Sequence, residues 1–147
     1  MPGYLLDTNV LVYSVDPDEP AKRDRAIHLL EQLAGGRKAW LPAQALAEFA
    51  RVTLEKRRPP ASAGEVYAAV ERFERSFAVL PLTPAVVLEA VRGVRDHRFS
   101  YYDAQIWAAA RLNQVPVVLT EDFAAGATVE GVTFVDPFAP GFDSAAL

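Results

Sequence analysis

Asp7, Glu48, Asp103 and Asp122 each lie in or directly beside an apolar stretch, where a globular chain has least structural use for a carboxylate. Asp7 interrupts Tyr4-Leu5-Leu6-Asp7-Thr8-Asn9-Val10-Leu11-Val12-Tyr13, and Glu48 lies in Ala45-Leu46-Ala47-Glu48-Phe49-Ala50. Asp103 falls in Ser100-Tyr101-Tyr102-Asp103-Ala104-Gln105-Ile106-Trp107, and Asp122 follows Val117-Val118-Leu119-Thr120-Glu121. A carboxylate taken out of water must be neutralised, hydrogen-bonded or metal-bound. Together the acids point to one shared cation, and an all-oxygen donor set favours Mg²⁺ or Mn²⁺ over a softer zinc site. Local roles stay open for each. Asp7 could cap the segment after it, Asp103 with Ser100 resembles a capping box, and Asp122 could be a turn residue. Arg51 offers Glu48 a salt bridge.

The elements that must gather these acids are marked by hydrophobic runs and stop signals. Strands are expected at roughly 4–6, 39–41, 77–80, 115–119 and 132–135, the apolar runs bounded by turn residues. A turn or short helix follows Asp7. A helix is predicted over 19–33, ended by Gly35-Gly36, and another from Pro42 to before Pro59-Pro60. Ser62-Ala63-Gly64-Glu65 matches a capping box, opening a helix whose inner stripe is Val66, Ala69, Val70 and Phe73. Thr83-Pro84 supplies an N-cap and a first helical position for a helix to about residue 95. Ser100 opens the last helix, over 100–112, with Asn113 to close it. Strands alternating with helices specify an α/β sandwich, a central, mostly parallel sheet flanked by helices. Ligands of such sheets gather at the carboxyl ends of the strands, where Asp7 and Asp122 each follow an apolar strand.

The 147 residues suit one domain, 1–147, with an irregular tail from about 136 where Pro137, Pro140 and Gly141 cluster. With 51% hydrophobic residues the chain is not of disordered composition, and with no cysteine it has no disulfide, thiolate zinc site or cysteine nucleophile. The absence of a basic leader pattern and of any apolar run near the ~20 residues needed to span a bilayer leads to the expectation of a soluble cytoplasmic protein with no membrane association. A net charge of −4 argues against a generally basic nucleic-acid surface. Two local basic clusters remain: Arg51, Lys56, Arg57 and Arg58, then Arg92, Arg95, His97 and Arg98, read as solvated helix ends or as contacts for an RNA backbone or acidic partner.

The ordered motifs Leu6-Asp7-Thr8-Asn9-Val10-Leu11, Glu48, Tyr102-Asp103-Ala104 and Leu119-Thr120-Glu121-Asp122 resemble those of PIN domains, most of all the small bacterial VapC-type toxin ribonucleases. The resemblance implies a PIN-like three-layer sandwich around a five-stranded parallel sheet, a homodimer, and Mg²⁺- or Mn²⁺-dependent endoribonuclease activity on an RNA substrate. It also implies inhibition by a cognate antitoxin protein. By motif, Asp7, Glu48, Asp103 and Asp122 become the catalytic acids, with Asp7, Asp103 and Asp122 as metal ligands. Thr8, Asn9 and Thr120 match supporting polar positions. Glu121 competes with Asp122 for the last position, and the Thr-x-Asp spacing favours Asp122.

The expected chemistry is hydrolysis of an RNA phosphodiester by a metal-activated water, with Glu48 binding metal or placing the water. Alternatives are a PIN nuclease of RNA processing or DNA metabolism, and a non-catalytic dimeric PIN-like binding module. An aspartyl-nucleophile phosphatase fits poorly, because Asn9 stands where a second Asp would act as general acid.

Overall fold

Residues 3–123 and 125–147 are described by the computed structural model. The chain runs β1 (Tyr4–Leu6), α1 (Thr8–Tyr13), α2 (Pro20–Leu33), β2 (Ala39–Pro42) and α3 (Ala43–Arg51), which continues as a π-helical turn, Val52–Lys56. Then follow α4 (Ala63–Ser76), β3 (Ala78–Leu80), α5 (Pro84–His97), α6 (Tyr101–Leu112), β4 (Val117–Leu119), β5 (Thr128–Val129) and β6 (Val132–Val135), with a 3₁₀ turn at Ser144–Ala146. The sheet order is β3-β2-β1-β4-β6-β5. All pairings are parallel except β5 with β6.

Local chemistry accounts for most element ends. Pro20 and Pro84 occupy the start of α2 and α5, and Thr83 Oγ1 accepts from the Val86 amide. The capping box at Ser62 and Glu65 forms in both directions at 3.1 Å. Asn113 is the last residue of α6 to be half helical, and Gln114 takes the left-handed turn after it, with φ 57°. The predicted parallel strands are all present. A sixth, β5, adds to them: Glu130-Gly131, with φ 48° and 84°, closes a two-residue hairpin onto β6. Positive φ at both turn residues matches the right-handed strand twist, and Gly131 meets it without a Cβ penalty.

Alternation along the strands builds a core on each face of the sheet. Leu6, Leu41 and Leu119 face a cluster with Val10, Leu11, Leu29, Phe49, Val66 and Phe73, from α1 to α4. Leu5, Val118 and Phe134 face the other way, onto Val86, Ala90, Ile106 and Trp107 of α5 and α6. The result is helix, sheet, helix. Each fully buried Leu contributes roughly 1.5–3 kcal/mol, so register is strongly specified. A slip by one residue would turn both cores outward. The C-terminal stretch also joins the first core, through Phe138, Phe142 and Leu147. No helix among the described residues is long and apolar enough to cross a membrane.

Candidate active site

The chain leaves β1 for β2 and β3 on one side, while β4 and β6 lie on the other. The carboxyl ends of β1 and β4 therefore form the topological switch point, where open α/β sheets leave a crevice. Leu6 pairs with Leu119 in register, so Asp7 and Thr120 emerge from adjacent strands at the same level. The Asp7 amide still donates to Leu119 O at 3.1 Å and the Thr120 amide to Val135 O at 2.9 Å, which fixes both backbones.

Asp7 is 5% exposed. Its Oδ1 accepts from the Thr8 amide at 2.7 Å and its Oδ2 from the Thr120 hydroxyl at 2.8 Å. Asp7 does cap α1, so the capping and the site readings describe one side chain. Burial pushes its carboxyl up to about 6, against the lowering pull of the Thr120 and Thr8 hydrogen bonds. The charges of Asp122 and Glu48 push the same way as burial, which puts all three acids within one another's field.

Thr120 Oγ1 also accepts from Asn9 Nδ2 at 3.3 Å and from the Asp122 amide at 3.1 Å. A hydroxyl has one donor and two acceptor sites, so its proton is committed to Asp7. Asn9 Nδ2 donates to Asp122 Oδ2 at 3.1 Å as well, and Asn9 Oδ1 accepts from the Glu121 amide. Thr8 Oγ1 donates to Glu48 Oε2 at 2.9 Å, and Gln44 Nε2 to Glu48 Oε1 at 2.7 Å. The three polar side chains beside the acids thus tie Asp7, Glu48 and Asp122 into one hydrogen-bonded set.

Glu121 turns away from that set. Its carboxylate accepts from Lys22 Nζ at 2.6 Å and from the Tyr13 hydroxyl at 2.6 Å. Burial raises the Glu121 carboxyl, but those two bonds outweigh it and hold it below the usual carboxylate range. Asp103, half-buried in the first turn of α6, accepts from Ser100 Oγ at 2.7 Å. Ser100 makes no side-chain bond to the backbone at this helix start, so the capping box suggested by the sequence does not form. The Asp103 turn is tied to Glu48 through Gln44, whose Nε2 also donates to Tyr102 O at 3.2 Å. Arg51 forms no ion pair with Glu48 among the described residues. Three of the second basic cluster pair internally, Arg92 with Glu89 and Glu130, His97 with Glu130, and Arg95 with Asp96, and Arg111 of α6 joins Glu89 and Glu130 from outside it.

Among the described residues no three Asp, Glu, His or Cys side chains stand together as a ready cage for an ion. The donor chemistry nevertheless fits a hard divalent cation. Asp7 uses only two of its roughly four lone-pair sites, and its burial beside two further negative charges is a cost that a cation offsets. Mg²⁺ commonly takes one or two carboxylates and completes its shell with water and substrate phosphate.

Gln44, Gln105, Tyr13 and Lys22 were not singled out by sequence as site residues. Gln44 carried a signal, four positions before Glu48 on one helix. Gln105 stands as the lone amide in an apolar run. For Tyr13 and Lys22 no sequence spacing announces a contact with Glu121 about a hundred residues on, a separation only tertiary structure closes.

Among solved structures, a toxin–antitoxin complex from Klebsiella pneumoniae is similar at 19% identity and TM-score 0.67, covering 92% of this chain and 98% of that one. DNA-bound VapBC from Salmonella typhimurium is similar at 18% identity and TM-score 0.63, covering 93% and 99%. VapC20 from Mycobacterium tuberculosis, a sarcin-ricin loop cleaving toxin, is similar at 17% identity and TM-score 0.62, covering 87% and 98%. Comparison with curated protein sequences gives no match. At these identities the structures establish the shared fold. The family model of the PIN domain matches residues 4–127, from β1 through the loop that carries Asp122, and the chain belongs to the PIN-domain family.

Proposed function

We propose that this protein is a divalent-metal-dependent endoribonuclease, the toxin of a VapBC-type toxin–antitoxin pair. The observation that carries the reading is the hydrogen-bonded set at the switch point, in which Thr8, Asn9 and Thr120 fix Glu48, Asp122 and Asp7 around one another's charge. The similar structures support the toxin reading and an antitoxin partner, since they include a VapC toxin and toxin–antitoxin complexes.

Asp7, Asp103 and Asp122 would hold Mg²⁺ or Mn²⁺. Such an ion offsets the charge of a phosphate transition state and lowers the pKa of bound water. Asp7 supplies a fixed, desolvated anion at the end of β1. Thr120 holds its orientation by spending its one proton on Oδ2. Asn9 keeps Asp122, which is exposed, turned toward the same crevice. Glu48, with both oxygens held, serves as a metal ligand or as the acceptor that places the attacking water.

A homodimer is part of the reading. The outer face of α5 presents Val87, Leu88, Val91 and Val94 to solvent, Leu88 at 73% exposure. These positions share one helical stripe.

The deciding experiment is cleavage of defined RNAs with Mg²⁺, Mn²⁺ or chelator, comparing wild type with Asp7→Asn. Cleavage that needs the metal and is lost in a folded Asp7→Asn protein is expected. Undiminished cleavage by the variant, or cleavage in chelator, would sink the mechanism.

A further inference from the structure

Gln105 is 4% exposed within the otherwise apolar buried stretch of α6, and Gln44 is 8% exposed in the first turn of α3. Burying an amide is costly unless it is hydrogen-bonded. Their bonds form a chain. Gln105 Nε2 donates to Gln44 Oε1 at 2.6 Å, and Gln44 Nε2 donates to Glu48 Oε1 at 2.7 Å and to Tyr102 O at 3.2 Å.

The chain has a direction. Turned over, the Gln44 amide would set its oxygen against a carboxylate and a carbonyl, and its NH₂ against the Gln105 donor. Three hydrogen bonds would become three repulsive contacts. The Glu48 carboxylate and the Tyr102 carbonyl only accept, so Gln44 must meet them as a donor, and its oxygen is left to receive Gln105, which anchors the amide from the buried side. Tyr102 directly precedes Asp103, so the same amide ties Glu48 to the turn that carries another site acid. Helix packing alone asks for none of this, because the neighbours of Gln105 on α6 fill the interface with Ala104, Ile106 and Trp107.

We propose that Gln44, anchored by Gln105, is a positioning residue that holds the Glu48 carboxylate in its working place. The proposal rests on the nuclease reading for what that place does. Gln44→Met and Gln105→Met keep side-chain length and approximate volume while removing the amides. Each lowers kcat for RNA cleavage with Mn²⁺ about tenfold or more, the size typical of groups that orient a metal site, with little change in KM. In a Glu48→Leu background the loss on Gln44→Met shrinks to about twofold or less, because the group it acts through is gone. In the metal-free protein the side-chain amide resonances of Gln44 shift on Gln105→Met and on Glu48→Leu.

A full, independent loss in the Glu48→Leu background would assign Gln44 to packing and overturn the proposal. So would an unchanged kcat in both single variants, or Gln44 resonances that ignore both substitutions. If wild type cleaves no RNA, the nuclease reading has failed on its own. The positioning role is then decided on the metal-free protein: the side-chain carboxyl resonance of Glu48 must shift on Gln44→Met and, through Gln44, on Gln105→Met, and a Glu48 resonance that ignores both substitutions overturns the proposal.

Discussion

Asp7 shows how a single buried acid can be worth less to the fold than to the site. Its carboxyl is raised to about 6, chiefly by burial, whereas an unfolded Asp ionises near 3.9. Between those values the native chain keeps a proton that the unfolded chain has shed. Stability therefore falls as pH rises through that window, and the whole cost stands above about pH 6, up to roughly 3 kcal/mol. In the metal-free protein Asp7→Asn is expected to be the more stable form at about pH 7.5, by ~1–3 kcal/mol, with the difference nearly gone by about pH 4. Urea unfolding in chelator at the two pH values checks this; a variant less stable at the higher pH would refute it. Saturating Mn²⁺ should reverse the order, because only wild type gains binding energy. The same region shows what the sequence disclosed. Asp7 and Thr120 were legible as candidates because each directly follows an apolar strand, and Asp122 because it lies two residues beyond Thr120 at the same strand end. Between Glu121 and Asp122 the Thr-x-Asp spacing favoured Asp122, but the bonds by which Lys22 and Tyr13 draw Glu121 aside had no signal in the sequence. Replacing Glu121 by Gln should therefore leave Mn²⁺ affinity within about twofold while Asp122→Asn lowers it about tenfold or more, read by calorimetry.

The helices were easier to read than the contacts between them. Ser62 and Glu65, Thr83 and Pro84, and the strands at 4–6 and 132–135 all carried local signals that the structure realises. The π-helical turn Val52–Lys56 had no such signal, and β5 is only two residues long, held by its hairpin rather than by a hydrophobic run. The close approach of α5 to α6 was equally hidden. A Cβ on Gly93 would lie 2.9 Å from Trp107 Cζ3 and 3.0 Å from Cε3, with Phe99 Cδ2 at 3.3 Å. Trp107 has little room to give: it is fully buried and its Nε1 donates to Val129 O at 3.1 Å. Gly93→Ala gains about 1 kcal/mol of helix propensity but incurs overpacking of about 1–3 kcal/mol. A net loss of about 1 kcal/mol, or a fall of a few degrees in Tm, is expected. A rise in Tm would show that the α5–α6 interface is looser than its geometry.

For the whole molecule, two cores on opposite faces of one sheet leave apolar side chains on the outer side of α5 in solvent. Val86 and Ala90 turn inward at 4% and 0% exposure, while Leu88 and Val91 stand at 73% and 53%. An apolar stripe left in solvent on an otherwise amphipathic helix suits a protein interface, and on the proposed reading a second copy of the chain would cover it. Leu88→Glu with Val91→Glu sets charges where such an interface must be dry, at several kcal/mol per uncompensated carboxylate. Neither side chain is part of the inward core, so the monomer should keep its fold. Sedimentation velocity is expected to give a dimer for wild type and a monomer for the double variant, with unchanged circular dichroism. A monomeric wild type at micromolar concentration would remove the homodimer from the reading. RNA cleavage by the monomeric variant would then separate assembly from chemistry, since Asp7, Glu48 and Asp122 all come from one chain and their hydrogen-bond partners do too.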